Sequence, residues 1–145
     1  MVIKELTTLS PKQEADVLSI MKELTTEQVV TPEMLIRTVS AESSHFFAAI
    51  DEDGSIVVCA TLCVYDSPTG RKASVEDVVV SSECRGQGLG RKLMEHVIAY
   101  AHKELGNVDL HLTSRPHRVA ANELYQKLGF TKKETNVYVM KLRVD

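Results

Sequence analysis

The segment Arg85-Gly86-Gln87-Gly88-Leu89-Gly90-Arg91-Lys92 constrains this chain more than any other. It stands between a valine run, Val78-Val79-Val80, and a stretch in which Leu89, Leu93, Val97, Ala101 and Leu105 recur at helical spacing, with Met94 and Ile98 beside them. Glycine costs a helix about 1 kcal/mol relative to alanine, so three alternating glycines at a helix start need a compensating reason. Close approach of a ligand to the backbone supplies one. Without Cβ atoms the chain can fold against a phosphate, the first N–H groups of the helix are unpaired, and the helix dipole adds about half a positive charge at that end. Arg85, Arg91 and Lys92 add full charges.

Two familiar phosphate loops fail on spacing. A P-loop requires Gly-Lys followed by Ser or Thr, whereas Gly90 is followed by Arg91-Lys92-Leu93. The dinucleotide fingerprint needs a glycine at position 91, which is arginine.

The rest of the chain reads as alternating elements. Ile3 to Leu6 is a short strand, and Ser10-Pro11 opens a helix to about Leu24. Thr31-Pro32 opens another to about Ala41. His45 to Ile50 and Ser55 to Tyr65 are strands joined by an Asp53-Gly54 hairpin signal. After a turn at Ser67-Pro68-Thr69-Gly70, Ala73 to Val80 forms a strand whose valine core, lacking polar alternation, is expected to be buried on both faces. The long helix ends at Gly106-Asn107. Asp109 to Thr113 then reads as a strand, Arg118 to Leu128 as a helix stopped by Gly129, and Val137 to Leu142 as a final strand. The expected class is α/β, a mixed sheet flanked by helices.

A chain of 145 residues leaves room for one domain. With 17 Lys and Arg against 20 Asp and Glu, the net charge of −3 creates no global attraction to nucleic acid or anionic lipid, so anion binding has to be local. The most apolar stretch, Ile56 to Tyr65, is about half the ~20 residues a bilayer requires, so no membrane span is expected. The N-terminal residues lack the basic and apolar pattern of a signal or transit peptide, which makes the cytoplasm the expected location. Cys59, Cys63 and Cys84 form no C-x-x-C pair, and the five histidines show no ligand spacing, so neither a disulfide framework nor a metal is expected.

Arg85-Gly86-Gln87-Gly88-Leu89-Gly90 resembles the Q/R-x-x-G-x-G/A signature of the GCN5-related N-acetyltransferases, the GNAT superfamily. Ala121-Asn122-Glu123-Leu124-Tyr125-Gln126-Lys127-Leu128-Gly129-Phe130 is similar to the second motif of that family, so the strong match covers Ala73 to Phe130. The resemblance implies a central, mostly antiparallel sheet splayed at one end, with acetyl-CoA as cosubstrate and its pyrophosphate on the glycine loop. It implies cofactor contacts from Val78, Val79, Val80, Arg85, Gly86, Gln87, Gly88, Leu89, Gly90, Arg91, Asn122 and Tyr125. The reaction implied is direct acetyl transfer in a ternary complex to a primary amine, carried by a small molecule or a peptide.

Such a transfer needs a neutral amine, a polarised carbonyl and a protonated leaving thiolate. Asn122 and Tyr125, three apart on a helix, share a face. The resemblance gives Tyr125 the acid role. Glu76-Asp77 precedes the valine run, and strand alternation sends the two carboxylates to opposite faces. A buried carboxylate there has its pKa raised toward the range of a useful base, and Glu76 is placed ahead of Asp77. Either residue also serves as an acceptor contact, as do Thr113 and Ser114 after the next strand. The resemblance puts the polarising backbone N–H on the Val78–Val80 strand.

Two other readings stay open. Val75 to Val80 is similar to the corresponding strand of glucosamine-6-phosphate N-acetyltransferases, but their acidic Asp-x-Asp-like stretch is replaced here by Leu112-Thr113-Ser114-Arg115-Pro116. A noncatalytic acyl-CoA-binding regulatory module would keep the glycine loop without turnover. Thr135 to Lys141 alternates weakly, as an edge strand does, and pairing with a second subunit into a homodimer is one reading of it.

Overall fold

Capping chemistry starts the first two helices where the sequence places them. Ser10 caps α1 (Pro11–Leu24): its hydroxyl accepts from the Gln13 N–H at 3.1 Å, while the Gln13 side chain accepts from the Ser10 N–H at 2.9 Å. Thr31 caps α2 (Pro32–Ser40) by accepting from the Met34 N–H at 3.3 Å, and proline stands in the first turn of both helices. The computed structural model describes residues 1–144 and comprises two compact units, Met1–Thr113 and a second beginning at Ser114.

The first unit holds a five-stranded sheet whose spatial order is its chain order: β1 (Val2–Leu6), β2 (Ser44–Ile50), β3 (Ile56–Ser67), β4 (Gly70–Val80) and β5 (Asp109–His111). Neighbours are antiparallel from β1 to β4, and β4 pairs with β5 in parallel. A parallel pair cannot be joined by a tight turn, and the crossover is α3 (Leu89–Glu104). The hairpin between β2 and β3 closes as its Asp-Gly signal predicts. Asp51 accepts from the Asp53 and Ser55 N–H groups at 3.0 and 2.9 Å, and Gly54 takes φ +80°.

Alternation along β2 sets the layers. Phe46 and Ala48 join Val17, Ile20 and Met21 of α1 and Leu35 and Val39 of α2 in one core cluster. Phe47 points the other way, edge-on to His96 and Tyr100 of α3 with ring centroids 5.6 and 5.1 Å apart. Leu93, Met94 and Val97 are fully buried on that side. At about 1.5–3 kcal/mol per buried large apolar side chain, both faces hold the sheet firmly.

The second unit contains α4 (Val119–Lys127), and Arg118 stands at its N-cap rather than inside it. Among the described residues no strand covers Val137 to Leu142, contrary to the expectation from its alternation. Val137, Tyr138, Val139, Met140 and Leu142 are all exposed. Alternation supplies an apolar face but no ladder partner, and among the described residues of this unit there is no strand to pair with it.

Candidate active site

Two irregularities in β4 and a turn after it build the site in the first unit. The first is where β5 stops. It pairs with Lys72, Ala73 and Ser74 and no further, so beyond Ser74 the sheet splays and β4 has no β5 partner from Val75 to Val80. Val79 is buried, but Val78 and Val80 are only partly so, which corrects the expectation of a strand buried on both faces. The missing β5 contact is the reason.

The second irregularity is a β-bulge. Cys59 pairs with Val79 and Thr61 pairs with Glu76, so Asp77 and Val78 together oppose Ala60. Asp77 takes φ +52°, a left-handed conformation that aspartate tolerates better than most residues. The bulge shifts the alternation between Asp77 and Val78, which share one β3 partner, and so resets which face the rest of the valine run presents. Glu76 and Asp77 are both exposed, so the burial expected of Glu76 is not found. The Glu76 carboxylate accepts from the Ser74 hydroxyl at 2.6 Å. The carboxyl that is raised above its ordinary value is Asp77, by loss of hydration and then by the charge of Glu76.

The chain then passes through a 3-10 turn, Ser82–Cys84, into the glycine loop. Gly86 and Gly88 take φ +81° and +73°, so both occupy conformations that side chains resist. Gly88 is the N-cap of α3, and no side chain caps it. The first N–H groups of α3 are therefore left without helical or N-cap partners. Nothing lies within 4 Å of where a Cβ on Gly86 or Gly88 would stand. At Gly90 a Cβ would come 3.2 Å from the Val80 side chain, so this third glycine serves strand-helix packing. Arg85 and Arg91 are exposed; Arg85 Nε donates to the Val80 carbonyl at 3.4 Å and Arg91 Nε to Glu95 at 2.7 Å. Gln87 is exposed, whereas Leu89 is buried and anchors the helix start. A cradle of glycines, open backbone donors and flanking guanidiniums fits a pyrophosphate.

In the second unit Asn122 donates its amide protons to the Arg115 and Arg118 carbonyls at 3.0 and 2.8 Å, tying the turn before α4 to the helix. Tyr125 is partly buried against Phe130, with ring centroids 6.1 Å apart. Burial raises the Tyr125 phenol, and the positive charge of Arg118 offsets part of that rise. Thr113 follows β5 in irregular backbone and Ser114 opens the second unit.

Two groupings escaped the sequence reading. Glu23, at the end of α1, binds Ser82. His45 Nδ1 lies 2.8 Å from Glu5 Oε2 and 3.2 Å from the Tyr100 hydroxyl, beside a cavity of about 500 Å³ lined by Glu5, Ser40, Glu42 and Ser44. That cavity stands at the end of β2 opposite the glycine loop. Partners 59, 40 and 55 residues apart leave no periodic signal to read.

Residues 15–130 match the model of the Acetyltransferase (GNAT) family. The chain belongs to the GNAT acetyltransferase family. An uncharacterized N-acetyltransferase of Bacillus subtilis, YhdJ, is 31% identical to this GNAT chain over 133 residues, 89% of this chain and 91% of that one. Rat N-acetyltransferase family 8 member 2 is 34% identical over 88 residues, 59% of this chain. The chain spans only about two fifths of the length of the rat relatives it matches. Solved structures share the GNAT fold: a Trypanosoma brucei acetyltransferase has a TM-score of 0.75 at 20% identity, covering 97% of this chain and 99% of that chain. Arabidopsis thaliana glucosamine-6-phosphate N-acetyltransferase has 0.74 at 21%, covering 96% and 97%. Among the described residues no helix is long and apolar enough to cross a membrane.

Proposed function

We propose that this GNAT chain transfers an acetyl group from acetyl-CoA to a primary amine on a small molecule or a peptide, by direct attack in a ternary complex. The single observation that carries the reading is the splayed edge of β4, which runs into a loop with two left-handed glycines and an uncapped helix start. Acetyl-CoA, when bound, supplies an acyl thioester. The backbone N–H groups of Gly86 to Arg91, with the Arg85 and Arg91 charges, hold the pyrophosphate, and Asn122 steadies the turn before α4 for cofactor contact.

The bulge leaves a residue out of the ladder, and a backbone N–H in the Val78–Val80 stretch polarises the thioester carbonyl. The amine nitrogen forms a bond to the carbonyl carbon as the carbon–sulfur bond breaks. Its surplus proton passes to the Glu76–Asp77 pair, directly or through water. The raised Asp77 carboxyl favours Asp77 over Glu76, reversing the order that alternation suggested. Tyr125, kept protonated by its raised pKa, donates to the departing sulfur. A phenol with a pKa near 10 is a weaker acid than a cysteine-like thiol near 8.5, so the transfer is uphill to a free thiolate and has to be coupled to the breaking carbon–sulfur bond at a sulfur whose basicity is raised by desolvation. Thr113 and Ser114 are assigned to the acceptor.

The base assignment predicts a split between two variants. Asp77→Asn should flatten the low-pH limb of the rate profile, while Glu76→Gln should change acceptor KM more than the shape of that limb. A pKa raised on folding means that ionised Asp77 costs stability above it, a cost relieved as pH falls, so Asp77→Asn should hold or raise Tm at neutral pH. A profile altered by Glu76→Gln alone would return the base role to Glu76.

Thiol release from acetyl-CoA against a panel of amines, sugar phosphates and N-terminal peptides tests the activity. Turnover with an amine is expected. CoA binding without turnover on any acceptor would favour the noncatalytic module. Glucosamine 6-phosphate is expected to be a poor acceptor, because Leu112 to Pro116 lacks the acidic stretch. We place the protein in the cytoplasm on its free cysteines. We read the exposed apolar residues Val137 to Leu142 as a homodimer contact; light scattering that gives a monomer at all working concentrations would remove that contact.

A further inference from the structure

The entrance to the glycine loop is held from a distance. Ser82 begins the 3-10 turn that feeds Arg85 to Gly90, and Ser81, the residue before it, makes no side-chain cap. The first amide of such a turn has no partner within the turn. Glu23, in the last turn of α1, takes it: the Ser82 N–H lies 3.3 and 3.2 Å from the two carboxylate oxygens, and the Ser82 hydroxyl donates to Oε1. The residues on either side are held by backbone, with Ser81 N–H donating to the Val57 carbonyl at 2.8 Å and Cys84 N–H to the Ser81 carbonyl at 2.9 Å. α1 is itself anchored by Val17, Ile20 and Met21 in the core, so the carboxylate is presented from a rigid element.

We propose that Glu23 is a positioning residue for the cofactor loop, capping the turn at Ser82 from α1 so that Arg85 to Gly90 is preorganised before its ligand arrives. This rests on the acetyl-CoA reading given above. Three features agree. The Ser82 hydroxyl and amide both favour the ionised carboxylate, as does the charge of Arg85, and together they lower the Glu23 pKa. Arg85, at the mouth of the loop, stands close enough for its charge to favour the same ionised carboxylate. A charged hydrogen-bond acceptor serving amide and hydroxyl together is stronger than the water that would replace it.

A loop that must be ordered on binding lowers apparent affinity by the fraction of time it is unformed. Glu23→Ala should therefore raise the Kd of CoA while leaving kcat intact. A carboxylate near an anion site also repels the anion, an effect of opposite sign. If repulsion dominated, removing Glu23 would tighten CoA binding.

The test is calorimetry with CoA on the full chain, with Tm recorded for each variant. Glu23→Ala is expected to weaken CoA binding by about five- to thirtyfold with little change in Tm. Glu23→Gln, which keeps one acceptor oxygen for Ser82 but loses the charge and the second oxygen, should recover part of that loss. Ser82→Ala should weaken binding less than Glu23→Ala, and adding it to Glu23→Ala should cost nothing further. Unchanged or tighter binding in Glu23→Ala overturns the proposal, and so does an equal loss in Glu23→Gln and Glu23→Ala. Failure of the wild-type protein to bind CoA defeats the cofactor reading itself, an outcome separate from any difference among the variants.

Discussion

Gly88→Val is expected to lower CoA affinity by about 100-fold while the protein stays folded. At φ +73° an L-residue is strained, and a β-branched side chain more than most. Relief of that strain moves the N-cap of α3, and with it the unpaired amides, by the equivalent of roughly 1–3 kcal/mol. The new side chain also fills space that is open to a ligand, because nothing of the protein lies within 4 Å of the Cβ position. Gly54→Val is the matched control. It imposes similar strain at φ +80° in the β2–β3 turn, so it should lower Tm without changing CoA affinity. Equal affinity in wild-type and Gly88→Val proteins would remove the glycine loop from the site.

Tyr125→Phe is expected to lower kcat by about 10²–10⁴-fold with a much smaller change in the KM of acetyl-CoA. The ring packs on Phe130, and phenylalanine keeps that packing while deleting the proton donor. A phenol whose pKa is raised by burial is protonated throughout the neutral range, so no limb of the wild-type profile near neutrality should come from Tyr125. Asn122→Ala should have the opposite kinetic character. Its amide holds the Arg115 and Arg118 carbonyls, so loss should show in cofactor binding before it shows in kcat. Matching wild-type and Tyr125→Phe rates under conditions where chemistry limits turnover would end the acid assignment.

The parts of the fold that were legible in the residues were those set by local rules. Ser10-Pro11, Thr31-Pro32 and Asp53-Gly54 fixed two helix starts and a hairpin because each acts on its own neighbours through caps and turn geometry. The glycine loop was legible for a similar reason: left-handed φ at Gly86 and Gly88 is a demand that few other residues satisfy. What escaped was non-local. A bulge at Asp77 and Val78 arises from how β4 registers on β3, and it shifts the alternation of the valine run that follows. The bond from Glu23 to Ser82 joins residues 59 apart, with no motif at either end. Val137 to Leu142 shows the converse, a strand-like alternation with no strand, because pattern determines a face while pairing determines a ladder.

The central claim is that acetyl-CoA is held through the backbone of the glycine loop. Amide-resolved NMR of the full chain titrated with acetyl-CoA measures this most directly. Saturable shifts concentrated at the amides of Gly86, Gln87, Gly88, Leu89, Gly90 and Arg91, with a second group along Asp77 to Val80, are the predicted result. Saturation with those amides unmoved and the shifts gathered elsewhere, around Glu5 and His45 for example, or no shifts at all, would contradict it.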